Sequence, residues 1–242
     1  MRLALVALLS SIATPLMAAA RPQPNLALSL GNGGTANIPL QIIVLLTALT
    51  FLPAVVMCLT PFLRITLILH FLRQALGTQS TPSNQILLGL SLFLTMLIMR
   101  PVATQIYEKS WQPLQEGKLN TQQALNEGSG PLREFLSRFA REKDVKLFVE
   151  LSQVAPPRNA HDLSLSVLMP TYMLSELRAG FQVGVVLYLP FLVVDLIVAS
   201  ITLSVGMVQL PPAMISAPLK ILLFVLVDGW NLIIGSLVKA FN

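Results

Sequence analysis

Gly206-Met207-Val208-Gln209-Leu210-Pro211-Pro212 is a turn without a single charge, set between two long apolar runs, Ala179 to Val205 and Ile215 to Val238. A glycine opens it and two prolines close it, the punctuation that ends one helix and starts the next. Apolar runs of this length, joined by a short uncharged connection, make a helical hairpin whose surroundings are lipid or protein rather than water. The turn offers thioether, branched and amide side chains, which suit closing a space. The plainer alternative is a structural corner at the lipid boundary.

Composition extends this reading to the whole chain. Its 242 residues are 54% hydrophobic and 11% charged, whereas soluble domains carry about a quarter charged residues. The class is therefore an all-α membrane protein. The net charge of +5 does not indicate nucleic acid, because Lys and Arg are not gathered on one face beside aromatic or polar readers. Cys58 lies in an apolar run with no second cysteine to pair with, and reads as a small buried hydrophobe.

The N-terminus has the order of a secretory signal peptide over residues 1–20: Arg2, an apolar core from Leu3 to Met17, then Ala18-Ala19-Ala20. Residues 21–37, rich in Pro and Gly, read as a flexible lead. Residues 38–106 predict a first long bent helical hairpin. From Ile38 to Leu63 the chain is uncharged, and a straight helix continued to Leu76 would be about 58 Å long. It therefore kinks at Pro53 and Pro61 or continues past the membrane. Arg64, His70 and Arg73 follow with no acidic residue between Ile38 and Met99, and such uncompensated positive charge marks the cytoplasmic side. After a loop from Gly77 to Asn84, Ile86 to Met99 returns as the pairing helix.

Residues 107–162 are different material, with eight acidic and eight basic residues. They predict a small solvated helical insert, placed on the periplasmic side by the alternation of topology. Pro131 is expected to open a helix whose face carries Leu132, Phe135, Leu136 and Phe139, continued by Val145, Phe148 and Val149. An insert this small buries little core. Phe135 and Phe148 are thus candidates for contact with another copy, or for packing on neighbouring helices.

Residues 163–242 form the second hairpin, with the turn at 206–212. Gly180 and Gly184 have the small-xxx-small spacing that lets helices approach closely in lipid. Asp195, Lys220 and Asp228 stand in or beside apolar runs, where ionisable groups are costly unless paired or wet. With the hairpin centred on Pro211, Asp195 is sixteen residues back and Lys220 nine forward, a height difference of about 10 Å. That geometry keeps them from neutralising each other within one chain. Asp195 and Asp228 fall at one height, so they point apart or one is protonated. Their partners are then expected on neighbouring subunits, with Lys220 or Arg178 as the cation; lining a water-filled cleft is the alternative. No P-loop, HExxH, CxxC or nucleophile elbow occurs, and His70 and His161 stand alone. No catalytic, cofactor or metal site is expected.

Several blocks in order carry a resemblance. Leu49-Thr50-Phe51-Leu52-Pro53, Arg73-Gln74-Ala75-Leu76-Gly77-Thr78, Pro82-Ser83-Asn84-Gln85-Ile86-Leu87-Leu88-Gly89-Leu90, Ser175-Glu176-Leu177, Phe181-Gln182-Val183-Gly184 and Leu223-Phe224-Val225-Leu226-Val227-Asp228-Gly229-Trp230 resemble the FliP family of flagellar type III export-gate proteins, from about residue 38 to the end. The resemblance implies about five copies assembled with FliQ and FliR into a conical gate for unfolded flagellar proteins. It implies a place in the bacterial inner membrane at the flagellar basal body, with FlhA and FlhB as neighbours and FliO assisting assembly. Phe135, Phe148 and Glu176 match positions associated with subunit contact in that family, and Lys220 matches a basic position in its last helix. The family's loop after the glycine is a methionine cluster acting as a gasket. Here only Met207 matches, followed by Val208, Gln209 and Leu210. The homologous injectisome proteins are the runner-up, and an ion or small-solute transporter the alternative from another class, although no internal repeat supports it.

Overall fold

Long apolar segments become helices because a helix satisfies its backbone N–H and C=O groups within the segment. The computed structural model is all helices and their connections, with no strand among its described residues, 38–78, 80–152, 163–207, 209 and 211–241. The expected signal peptide and lead, His161, Val208 and Leu210 lie outside them. Two compact units divide the chain, Met1–Leu52 and Pro53–Asn242. In the first, the described part is the opening of helix α1 (Ile38–Leu59), exposed from Ile42 to Leu52. All other elements belong to the second.

Only one of the two expected proline kinks interrupts the first rod. Pro53 stays inside α1, while the break falls at Thr60-Pro61 and α2 runs from Phe62 to Ala75. Cys58, expected to be buried, is partly exposed. Helix α3 (Asn84–Ile106) is 23 residues long and starts on Ser83, whose hydroxyl accepts from the Ile86 N–H. It runs on through a π-helical turn (Tyr107–Trp111) into α4 (Gln112–Gln115). Pro113 has no N–H for an α-helical ladder, and just before it the Gln112 N–H reaches the Tyr107 carbonyl, five residues back.

The insert begins its main helix earlier than expected. α5 spans Thr121–Phe139 and carries Pro131 in its interior. Its start is set by Asn120, which accepts from the Gln123 N–H at 2.8 Å while the Gln123 side chain accepts from the Asn120 N–H at 3.0 Å. This capping box satisfies two end groups at once and outweighs the preference of a proline for the first helical turn. After α6 (Glu142–Ser152) comes α7, a single 40-residue helix from Leu165 to Ser204.

The core lies where α2, α3, α5, α6 and the first half of α7 meet, around Ile65, Leu69, Leu87, Leu136, Leu168 and Tyr172. The second half of α7 and most of α8 (Pro212–Leu226) present Val186, Leu189, Leu196, Ile197, Leu222 and Leu226 outward. The last apolar run is not one helix. It breaks at Val227-Asp228 and resumes as α9 (Gly229–Lys239), 64° away from α8. Asp228 takes the left-handed conformation at φ 50°, and the Phe224 ring lies where a Gly229 side chain would be. Among the described residues three helices are long and apolar enough to cross a membrane, or four spans if α8 and α9 count as one bent span.

Candidate gate turn and the charged contacts behind it

The turn is built from its backbone outward. Gly206, at φ 78°, occupies the left-handed position that ends α7. The Gly206 N–H donates to the Leu203 carbonyl at 3.1 Å and the Met207 N–H to the Thr202 carbonyl at 3.0 Å. These are the two bonds of a Schellman motif, which absorb carbonyls that the helix end would otherwise leave open. On the far side Pro211 is extended and Pro212 takes the first helical position of α8, where a missing N–H costs nothing. Met207 is 40% exposed and Gln209 is also exposed.

Behind the turn, α7 and α8 are clamped by charge. Lys220 Nζ lies 2.6 Å from Asp195 Oδ2, and the Ser216 hydroxyl donates to Asp195 Oδ1 at 2.6 Å. The side chain of Lys220 is 5% exposed and that of Asp195 38%. This corrects the expectation that the two cannot meet within one chain. Counting from a turn centred on Pro211 assigns the non-helical residues to the wrong arm. From the helix ends, Asp195 is nine residues before Ser204 and Lys220 eight after Pro212, a mismatch of about 1.5 Å. The shared layer expected for Asp195 and Asp228 is corrected as well. Asp228 stands beyond the end of α8, at the bend, where it accepts from Asn231 Nδ2 at 3.1 Å.

A second charged contact joins α7 to α2. Arg64 Nη2 lies 2.5 Å from Glu176 Oε1, with Glu176 fully buried. The same two helices bring Leu67 against Gly180, where an added Cβ would meet the Leu67 side chain at 3.1 Å, and the Phe71 ring onto Gly184. Arg64 with Glu176, Leu67 with Gly180 and Phe71 with Gly184 step forward together, so α2 and α7 run parallel. The close approach of the small-xxx-small pair is made to this chain's own α2. Arg64 is thus compensated from 112 residues away, which corrects its reading as an uncompensated positive-inside charge. Arg73 donates to Asn84 Oδ1 at 2.6 Å and to the Pro82 carbonyl at 3.2 Å.

A third contact ties the insert to α7. Asp144, 2% exposed, accepts from the Ser175 hydroxyl at 2.8 Å, and Arg178 Nη2 stands 3.9 Å from it. The Arg141 N–H donates in turn to Ser175 Oγ. Phe135 is 8% exposed and packs on Tyr172 and Phe139, while Phe148 is partly buried on the same core. Sequence reasoning missed Ser216, Arg64, Asp144 and Ser175 as partners. Ser216 and Lys220 are four apart, on one helix face, a signal open to a reader who asks what Asp195 could bond. Asp144 carried no signal, since it sits in a run of charges that looks solvated. Among the described residues no three His, Cys, Asp or Glu side chains converge as metal ligands.

A sequence profile of the FliP family matches residues 45–237. A protein of Pectobacterium carotovorum called flagellar biosynthetic protein FliP is 44% identical over 213 residues, covering 88% of this chain and 83% of the relative. Proteins of the same name from Caulobacter vibrioides and Bacillus subtilis are 41% and 42% identical, covering 100% and 83% of this chain and 91% of each relative.

Proposed function

This chain belongs to the FliP family, and from that premise we propose that it is a core, non-enzymatic subunit of the flagellar type III protein export gate in the bacterial inner membrane. About five copies join FliQ and FliR around a pore for unfolded flagellar proteins, with FlhA and FlhB nearby and FliO aiding assembly. The 107–162 insert faces the periplasm. The turn at 206–212 seals the pore between passages. The observation that carries the sealing role is the turn's construction: an uncharged loop with both ends fixed by backbone geometry, braced by the Asp195-Lys220-Ser216 clamp. Such a loop keeps its place while its side chains yield, and a thioether such as Met207 is suited to yielding. Of the residues assigned to subunit contact, Phe148, Arg178 and Asp228 stand where another subunit can touch them, while Phe135, Glu176, Gly180, Gly184, Asp195 and Lys220, engaged within the chain, act by shaping the helices that touch.

Native mass measurement of the chain purified with and without FliQ and FliR tests the assembly. A stable hetero-oligomer containing several copies of this chain is the expected result. An isolated monomer or dimer, unchanged by co-expression of the sister proteins, would sink the proposal.

A further inference from the structure

Helix α3 carries one ionisable residue, Arg100, and its surroundings differ from those of every charge described so far. Arg64, Glu176, Asp195 and Lys220 are each paired within the chain. Arg100 is exposed, and among the described residues no hydrogen bond, ion pair or ring engages its guanidinium. It lines an open groove of about 570 Å³ with Phe93, Met96, Leu97, Thr104 and Tyr107. Phe93 is 69% and Met96 72% exposed, so among the described residues nothing covers the apolar end.

We propose that this face of α3 binds one anionic phospholipid, with the phosphate at Arg100 and an acyl chain along Phe93, Met96 and Leu97. The order of chemistry along the groove is that of the lipid itself: hydrocarbon, then a cation, then the Thr104 hydroxyl, then the phenol of Tyr107 with Trp111 just beyond. Tyr and Trp are the side chains that prefer the boundary between hydrocarbon and water. Arg100 sits between the apolar end of this face, Phe93 to Leu97, and its Thr104 and Tyr107 end. A cation held there needs an anion brought to its own level. A protein partner would have to carry an acidic residue in an apolar segment and keep it unpaired until docking. A phospholipid brings phosphate and chain in one molecule, and a guanidinium takes a phosphate through charge-assisted, bidentate hydrogen bonds. The inference does not depend on the gating role.

The test uses the full chain in its isolated complex, equilibrated in bilayers of phosphatidylcholine with and without phosphatidylglycerol, then released into mild detergent for native mass measurement. Retained phosphatidylglycerol should exceed phosphatidylcholine by about fivefold, the effect of one well-placed basic residue at an anionic surface. Arg100→Gln should abolish the preference, and Arg100→Lys should keep part of it. Equal retention of the two lipids by the unaltered protein, or an unchanged preference in Arg100→Gln, overturns the proposal. A fluorophore at Met96→Cys, in a chain whose partly exposed Cys58 is replaced by Ser, gives a readout that keeps Arg100 in place: brominated phosphatidylglycerol should quench it more than brominated phosphatidylcholine. Crosslinking of that cysteine to a second polypeptide in native membranes, with no difference between the two brominated lipids, would assign the groove to a protein instead.

Discussion

Lys220 is almost wholly buried, and a lone ammonium there is costly by several kcal/mol unless it has an anion at hand. Asp195 supplies it at 2.6 Å, and Ser216 fills the other carboxylate oxygen. Removing one partner from a fully buried pair costs about 3–5 kcal/mol; Asp195 is 38% exposed, so Lys220→Met should cost less, about 1–3 kcal/mol, and Lys220→Glu more than Lys220→Met, because it sets a second carboxylate against Asp195. Because the pair is intramolecular, the double exchange Asp195→Lys with Lys220→Glu should recover much of the thermal midpoint in the isolated subunit. Recovery seen only in the assembled complex would instead place the working partner on a neighbour. Glu176 is the more buried case, paired with Arg64 and carrying a second oxygen, Oε2, with no partner. Glu176→Leu alone should therefore destabilise by about 3–5 kcal/mol, and adding Arg64→Met should restore most of that loss, since an apolar pair of similar volume avoids both desolvations. Thermal unfolding in detergent distinguishes the two. These ionisable residues were visible in the sequence as anomalies, yet their partners were not. Arg64 and Glu176 are 112 positions apart, and only the parallel register of two helices makes them neighbours.

At the scale of elements, the presence of the long helices was legible and their ends, hence their lengths, were not: the run read as Ala179 to Val205 belongs to a helix of 40 residues. Continuous apolar runs announced α1, α3 and α7, since nothing but a helix can hold such a segment in lipid. The ends depend on one or two residues acting through local geometry: a capping box at Asn120, a left-handed Asp228, a break at Thr60-Pro61. The Gly206 end was legible because a glycine before a Pro-Pro pair has few other uses. The close packing of α2 on α7 shows what a spacing motif can and cannot say. Gly180 and Gly184 signalled a tight helix contact, but spacing alone does not name the partner helix. Gly184 has the Phe71 ring on its Cα, leaving no room for a methyl group. Gly184→Ala should destabilise by about 1–3 kcal/mol, the usual range for overpacking, and Phe71→Leu in the same chain should relieve part of the strain. Gly180→Ala meets the more flexible Leu67 side chain and should cost less. A larger effect at Gly180 than at Gly184 in thermal unfolding would overturn the parallel register.

For the whole molecule, two regions of the second unit divide the work of folding from the work of contact. The buried cluster is concentrated where α2, α3, the insert and the first half of α7 meet, while the second half of α7 and α8 expose Leu189, Leu196, Ile197, Leu222, Val225 and Leu226. A hairpin that buries so little of itself is completed by lipid or by other subunits, and the turn at its tip is the part with least apolar support. Changes there should leave folding intact. Replacing Met207 and Leu210 with Ala, or deleting Gln209, should leave the complex assembled by native mass and its stability to thermal unfolding within about 0.5 kcal/mol of the unaltered protein, as for surface substitutions outside special geometry. The proposed seal, however, should fail, so that cells expressing the variant admit ions and small dyes across the inner membrane. Gly206→Ala separates geometry from chemistry. It keeps all the sealing side chains but forces an alanine into φ 78°, at a cost of about 1 kcal/mol or more, loosening the last turn of α7 and raising amide exchange at Gly206 and Met207. Leakage in both variants would identify a seal that needs placement and side chains together. Unchanged permeability in assembled complexes of both would leave the turn as a corner of the hairpin.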